Sequence, residues 1–192
     1  MAGLLPIQAE LETDASTAAQ RLIGCELVRE LPEGRVRVRI VETESYDQTD
    51  MASHSYNGET PRNAVMFGNA GVLYVYFTYG MHYCCNIVTG KPGDGSAVLI
   101  RAVEPVEGSE IIEQYRGKSG VNATNGPAKL CQALAITKDL NGHDLRDSPL
   151  QLVLKPAQNP AEIVATTRIG ISKAQHEKRR FYMRANEFVS RK

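Results

Sequence analysis

Two carboxylates and a phenol lie at alternate positions in one stretch of the sequence. Glu42, Glu44 and Tyr46 fall two residues apart in IVETESY, and an extended chain places such positions on one face. Carboxylates are among the groups that general acid–base catalysis uses. The alternative is a pair of surface acids at the end of a strand, which describes most such pairs in arbitrary proteins.

A long polar segment follows this stretch and favours the functional interpretation. Residues 47–63, DQTDMASHSYNGETPRN, are rich in turn residues and carry His54, Tyr56, Thr60 and Arg62. Loops of this length between patterned strands are uncommon unless they bind or catalyse. We therefore expect the carboxylates and this loop to contribute to a site.

Tyrosine is concentrated in a second stretch, LYVYFTYGMHYCCNIV, which holds four of the eight tyrosines in a chain without tryptophan. Its composition predicts strands at 73–77 and 83–88 around a turn at 78–81, with Tyr79 near the tip of the hairpin. Such a tyrosine either packs on a neighbouring loop or is a wedge inserted between stacked bases. Asn86, in an apolar strand, either bonds to backbone or points into a pocket.

The elements that must position these residues are strands and short helices. Asp14 or Ser16 could cap a helix that ends at Gly24. A hairpin at 26–31 and 35–43 follows, in which buried valines and an isoleucine alternate with a row of arginines. Further along we expect a strand at 96–104 carrying Arg101, helices at 107–116 and 125–136, a loop at 117–125, and short apolar runs at 152–154 and 163–165 before a basic end.

The composition fits one globular domain spanning residues 1–192. A chain of 192 residues that is 42% hydrophobic is long enough for one core and too short for two comfortable ones. No apolar run approaches a membrane helix, and the start MAGLLPIQAELET lacks a signal-peptide pattern. The expected location is therefore inside the cell, cytoplasmic in a bacterium or nuclear in a eukaryote.

Cysteine usage argues against a metal site or a disulfide framework. The four cysteines include an adjacent pair and no C-x-x-C motif, and the four histidines do not add ligand spacing. We expect buried free thiols and no metal.

Charge is segregated along a chain whose net charge is zero. Residues 1–50 hold ten acidic against five basic side chains, and residues 168–192 hold eight basic against two acidic. This asymmetry is weakly indicative of a surface that faces a polyanion, although a basic tail kept for solubility looks the same.

Six motifs, in the same order, resemble those of the alkyladenine, or 3-methyladenine, DNA glycosylases of the vertebrate type. They are IVETESY, SHSYNGETPRNAVMF, GVLYVYFTYGMHYCCNI, GSAVLIRAVEP, NGPAKLCQALAI, and RIGI followed by RRFYMR. The resemblance extends from about Gly24 to the end of the chain. It implies a mixed α/β (α+β) fold, in which helices flank a curved, largely antiparallel sheet with a protruding hairpin that inserts into DNA.

The resemblance also implies an activity and the residues that perform it. The family hydrolyses the bond between a damaged purine and its deoxyribose after turning the base out of the duplex. Glu44 matches its catalytic glutamate and Arg101 the arginine that helps to hold the water. The implied base pocket comprises Tyr46, His54, Tyr76, Asn86, Ile169 and Gly170, and the implied DNA contacts are Tyr79, Met81, His82, Thr60, Lys129 and Lys138.

Further implications concern partners and chemistry. The expected partner is double-stranded DNA containing damaged purines, bound by a monomer without a cofactor. Since no lysine matches a Schiff-base position, the expected enzyme is monofunctional and leaves an abasic site. The rivals are a non-catalytic lesion-binding protein on the same scaffold and a hydrolase of free nucleosides.

Overall fold

Eight antiparallel strands form one curled sheet in the computed structural model, which describes residues 7–191. Residues 1–6 and Lys192, which belong to the expected 1–192 domain, lie outside the described residues. The strands are β1 (Glu26–Leu31), β2 (Gly34–Tyr46), β3 (Leu73–Thr78), β4 (His82–Thr89), β5 (Ser96–Glu107), β6 (Leu150–Val153), β7 (Ile163–Thr166) and β8 (Arg180–Met183). The main path runs β3-β4-β5-β2-β1-β6, with β8 joining β2 to β7.

Four short helices lie with this sheet, as expected for an α+β fold: α1 (Ile7–Leu11), α2 (Ala15–Leu22), α3 (Ser109–Arg116) and α4 (Pro127–Ala133). The predicted cap of α2 is confirmed at Asp14, whose carboxylate accepts bonds from the N–H groups of Ser16 and Thr17. The side chain of Thr17, and then the N–H bonds, lower the pKa of Asp14. The buried face of α2 packs into the main apolar core together with Val36, Val38 and other residues of the sheet.

The longest strand, β2, changes partners along its length and so bends the sheet. Its first half pairs with β1, residues 42–44 pair with β8, and β5 follows its other edge. The register shifts between Ile40 and Thr43, and such a bulge reverses which side chains face which side. Thr43 therefore bonds to the α2 carbonyl of Ala19, while Glu42 and Glu44 face away from the helix.

The predicted bounds of one strand and two helices, β5, α3 and α4, were wrong. Strand β5 continues to Glu107, three residues beyond the prediction, so α3 begins only at Ser109. Helix α4 spans Pro127–Ala133 and ends before Ala135, whose φ of 47° is left-handed. The expected loop at 117–125 contains a 3-10 turn, Gly120–Ala123.

The basic end contains a strand that the sequence analysis missed. β8 lies beside the carboxylate-bearing part of β2, and Arg180 on it is buried. A basic composition is typical of exposed segments, because burying an unpaired charge is costly. Here the charge is paired, as described below.

Two absences were established for the described part of the chain. None of its helices is long and apolar enough to cross a membrane. Across residues 7–191, no three histidine, cysteine or acidic side chains are grouped so that they could hold a metal ion. The four cysteines are buried free thiols, as predicted.

Candidate active site

A cavity of about 520 Å³ opens between the hairpin, the loop after β2 and the segment after β7. Nine of the residues singled out from the sequence line it: Glu44, Arg101, Tyr46, His54, Tyr76, Asn86, Ile169, Gly170 and Tyr79. They come from five separate parts of the chain, so the fold itself brings them together.

Glu44 is fully buried in the cavity wall. Its Oε2 accepts a hydrogen bond of 2.8 Å from the Tyr46 hydroxyl, and its Oε1 accepts one of 2.9 Å from the backbone N–H of Ile169. The guanidinium Nη1 of Arg101 lies 3.3 Å from the same Oε1. Two hydrogen bonds and a nearby guanidinium therefore surround the buried carboxylate, which excludes the alternative of a surface acid.

Glu42 is fully buried beside it and belongs to the same ionic cluster. Arg101 Nε lies 3.5 Å from Glu42 Oε1, and Arg180 Nη1 donates to that oxygen at 2.7 Å. The cluster thus holds two carboxylates and two guanidiniums. Equal numbers of opposite charges are what a buried site needs to offset desolvation.

Aromatic rings form one side of the cavity. The His54 and Tyr76 rings meet edge to face with centroids 4.6 Å apart, and His54 Nδ1 lies 3.0 Å from the Tyr74 hydroxyl. On the Tyr46 ring, the Arg168 guanidinium is stacked 4.7 Å from the centroid. Flat π faces of this kind bind planar and cationic groups.

The protonation of these groups follows from burial. Burial, and then the charge of Glu44, raises the pKa of the Tyr46 phenol above its ordinary value. Burial, and then Cys84, raises the pKa of Tyr76, while burial raises the pKa of the Cys84 thiol to about 11. Burial and Arg62 lower the pKa of His54. At neutral pH the cavity therefore presents neutral phenols, a neutral thiol and a neutral imidazole.

Asn86 both bonds to the backbone and lines the cavity, which the sequence had left as alternatives. Its Nδ2 donates to the Tyr74 carbonyl at 3.1 Å, and the side chain is buried in the cavity wall. That bond uses the amino end of the amide. The carbonyl end is then the group available to a ligand.

The hairpin has the predicted form, with Tyr79 at its tip. Tyr79 is 83% exposed and Met81 is 68% exposed. Tyr79 and Gly80 have φ values of 50° and 66°, and the Met81 N–H bonds to the Thr78 carbonyl, as in a type I′ turn. A left-handed, exposed tyrosine does not serve the protein's own packing, so the loop-packing alternative is wrong.

The other five residues singled out for DNA contact lie outside the cavity lining. Met81 and His82 are exposed beside the tip, and Lys138 is exposed on a 3-10 turn. Lys129 is half-buried and donates to Asn125 Oδ1 at 2.7 Å, while the Thr60 hydroxyl donates to Asn63 Oδ1 at 3.0 Å. Thr60 thus already has a partner within its loop.

Sequence reasoning missed several residues that build the site. Arg168 is buried, bonds to the Ser45 carbonyl at 3.1 Å and forms an ion pair with Asp50. Arg179 pairs with Asp47 in the same region. The available signal was the opposite charge of the two ends of the chain, because acidic residues near the start hold basic residues near the end.

Lys173 is a further addition, since it lines the cavity together with Ile171 and Ser172. It is exposed, and no motif in the sequence pointed to it. Its ammonium group at the cavity mouth is suited to a phosphate.

The sequence of this chain matches known proteins over nearly its whole length. The profile of the methylpurine-DNA glycosylase family matches residues 9–187. A Carboxydothermus hydrogenoformans protein named "Putative 3-methyladenine DNA glycosylase" is 51% identical over 181 residues, covering 93% of this chain and 95% of the relative. A Methanoculleus marisnigri protein of the same name is 49% identical, covering 94% and 96%. One from Francisella tularensis is 45% identical, covering 97% and 98%.

Proposed function

This chain belongs to the methylpurine-DNA glycosylase family, and we infer that it is a DNA glycosylase of base-excision repair that removes alkylated or deaminated purines. The assignment rests on one observation, which is that the groups needed for the reaction line the same cavity. A buried carboxylate, a set of aromatic rings and an exposed tip tyrosine all line it. Each is needed for one step of the reaction.

The first step is to turn the damaged nucleotide out of the duplex. This costs a few kcal/mol and leaves a gap in the base stack. Tyr79, which lies at the end of a hairpin and is 83% exposed, would fill that gap. Met81 and His82 beside it would lie along the minor groove.

The second step is to recognise the turned-out base. Tyr46, His54 and Tyr76 supply ring faces, and an alkylated purine with a positive charge binds an electron-rich face better than a normal base does. Asn86 adds a polar amide to the cavity lining. Its side chain would occupy the space that the exocyclic amino group of an undamaged guanine needs, and so exclude that base.

The third step is hydrolysis, in which Glu44 acts as the general base on a water molecule. The transition state carries positive charge on the sugar, as in glycoside hydrolysis. An alkylpurine cation is already a good leaving group, so one carboxylate suffices to orient and deprotonate the water. The Tyr46 hydroxyl, the Ile169 N–H and Arg101 hold Glu44 in place for this role.

Phosphate binding is assigned to three lysines. Lys138, Lys129 and the cavity-mouth Lys173 would contact phosphates and set the salt dependence. Thr60 is the weakest of the expected contacts, because its hydroxyl already bonds to Asn63. We propose that the protein binds DNA as a monomer.

A base-release assay tests the assignment against its rivals. The protein is incubated with duplexes that each carry one 3-methyladenine, 7-methylguanine, hypoxanthine or ethenoadenine, and with the free nucleosides. We expect release from at least one duplex and none from nucleosides. Binding without release would identify a lesion-binding protein, and release from nucleosides alone would identify a nucleoside hydrolase.

The same reactions show whether the strand is cut. A monofunctional glycosylase leaves an intact strand and gives no protein–DNA adduct with borohydride. Lys173 is the lysine to examine, because it lines the cavity. An adduct that disappears in Lys173→Ala would contradict the monofunctional assignment.

A further inference from the structure

Glu42 is a second buried carboxylate that the reaction as described does not use. It is fully buried and faces Arg101, not the substrate cavity, whose lining does not include it. A carboxylate in such a place is costly unless it has partners. Its partners therefore indicate what it does.

Those partners come from the last segments of the chain. Arg180 Nη1 donates to Glu42 Oε1 at 2.7 Å and to the Arg191 carbonyl at 2.7 Å, and the backbone N–H of Ser190 donates to Glu42 Oε2 at 2.7 Å. Arg180 Nε also donates to the Thr167 carbonyl at 2.8 Å. Arg180 and the Ser190 N–H thus hold the two oxygens of Glu42, and Arg180 is itself fixed by two carbonyl groups.

Arg101, in contrast, is held loosely between the two carboxylates. It lies 3.5 Å from Glu42 and 3.3 Å from Glu44, and its Nε has no hydrogen-bond partner among residues 7–191. A guanidinium shared in this way is not committed to a close ion pair with either acid. A close pair with Glu44 alone would stabilise the ionised carboxylate and make it a weaker base.

We propose that Glu42, fixed by Arg180 and by the backbone of Ser190, is a positioning residue that shares Arg101 with Glu44 and so keeps Glu44 an effective base. This inference rests on the proposed function. It adds that the C-terminal segment 189–191 supports catalysis, although it lines no part of the cavity.

Glu42→Gln tests the proposal because it removes the charge and keeps the shape. Loss of a negative charge next to Glu44 favours its ionised form, so the acid limb of the kcat–pH profile should move to lower pH. Arg101 should then settle on Glu44, and the plateau kcat should fall about tenfold or more. Lesion affinity should change less than twofold, since Glu42 does not contact the base.

The other charged and titratable groups around Glu44 remain in the variant. They are Arg101 on β5, Tyr46 at the end of β2, Arg168 after β7, Cys84 on β4 and, through Glu42, Arg180 on β8. Glu42→Asp keeps the charge and should recover most of the wild-type pH profile. If Glu42 only stabilised the fold, Glu42→Asp would not restore the acid limb of the kcat–pH profile.

Ser190 offers a matched pair that leaves both carboxylates in place. Ser190→Pro removes the N–H that holds Glu42, whereas Ser190→Ala keeps it and removes only a hydroxyl that has no partner among the described residues. We expect Ser190→Pro to lower kcat severalfold and Ser190→Ala to match the wild type. This pair decides the question if Glu42→Gln does not fold.

The outcomes separate this proposal from the assigned function. An active wild type together with a Glu42→Gln variant of unchanged kcat and unchanged acid limb overturns the role of Glu42 and leaves the glycosylase assignment intact. Equal kcat for the two Ser190 variants overturns the role of the C-terminal segment. A wild type that releases no base from any duplex overturns both proposals.

Discussion

At the scale of single residues, burial keeps the phenols, the thiol and the imidazole of the cavity neutral. The pKa values of Tyr46 and Tyr76 are raised and that of His54 is lowered, each mainly by burial. A neutral imidazole and neutral phenols are good neighbours for a cationic purine. A change in the protonation of one of these groups should therefore change the affinity for positively charged lesions.

His54 gives a pH prediction with a definite sign. Because its pKa lies below the ordinary value, His54 is neutral at pH 7 and gains a proton only as the pH falls below about 6.5. The resulting cation repels 7-methylguanine, whose affinity should drop about tenfold at pH 5, and leaves neutral hypoxanthine unaffected. Fluorescence anisotropy with both duplexes measures the difference.

The control is His54→Phe, which keeps a ring and removes the titration. This variant should bind both lesions with the same pH dependence. If wild-type binding of the two lesions falls in parallel on acidification, His54 does not face the charged base.

At the scale of secondary structure, the hairpin between β3 and β4 presents Tyr79 at its exposed tip. Tyr79→Asn removes the ring, and asparagine tolerates the left-handed backbone at this position. Base release from duplex DNA should fall about tenfold or more, since nothing then fills the gap. Release from single-stranded DNA should change little, because no stacked gap has to be filled.

Tyr79→Phe keeps the ring and should act like the wild type. Equal activity of Tyr79→Asn and Tyr79→Phe on duplex DNA would exclude a wedge at this position.

The exposed lysines give a prediction about binding strength. Lys138→Ala and Lys173→Ala should each weaken binding to all sequences alike and reduce the slope of log affinity against log salt by about 0.9. Lys91 is the control, because it follows the end of β4 that lies away from the hairpin tip. A Lys138 or Lys173 variant with the slope of Lys91→Ala would remove that lysine from the interface.

Much of this architecture follows from local sequence. The pattern of apolar and polar residues correctly predicted β1 and the first half of β2. The tyrosine-rich stretch predicted both strands of the hairpin to within one residue of their observed bounds. The bulge near Val41 could not be predicted, because nothing in the local composition requires an extra residue there. Strict alternation from Ile40 would have turned Glu42 and Glu44 towards α2, and only pairing with β5 and β8 reverses their direction.

At the scale of the whole molecule, the segregated charge serves internal pairing. Asp47, Asp50 and Glu42 in the acidic first quarter bind Arg179, Arg168 and Arg180 in the basic end. The sequence showed the asymmetry, but its local patterns could not show that the partners are more than a hundred residues apart. These three arginines are therefore engaged inside the protein.

Asp50→Asn tests the pairing through stability. It removes the close anionic partner of the buried Arg168 and leaves Glu177 at 4.0 Å, which should cost about 3–5 kcal/mol of unfolding free energy. The exposed pair of Glu30 and Arg35 is the control, and Glu30→Gln should cost at most about 1 kcal/mol. Urea denaturation of the two variants measures both values, and equal losses would contradict an internal role for the charges.

The central claim is that Glu44 activates the water that releases the base. Glu44→Gln keeps the shape of the side chain and its place in the cavity, so it should retain lesion binding and lose base release by about a thousandfold or more. The exposed Glu110 on α3 supplies the control variant Glu110→Gln. Single-turnover base release together with anisotropy on the same duplex is the direct measurement. Tight binding with almost no release is the predicted result, and release by Glu44→Gln at the rate of the control would contradict the account.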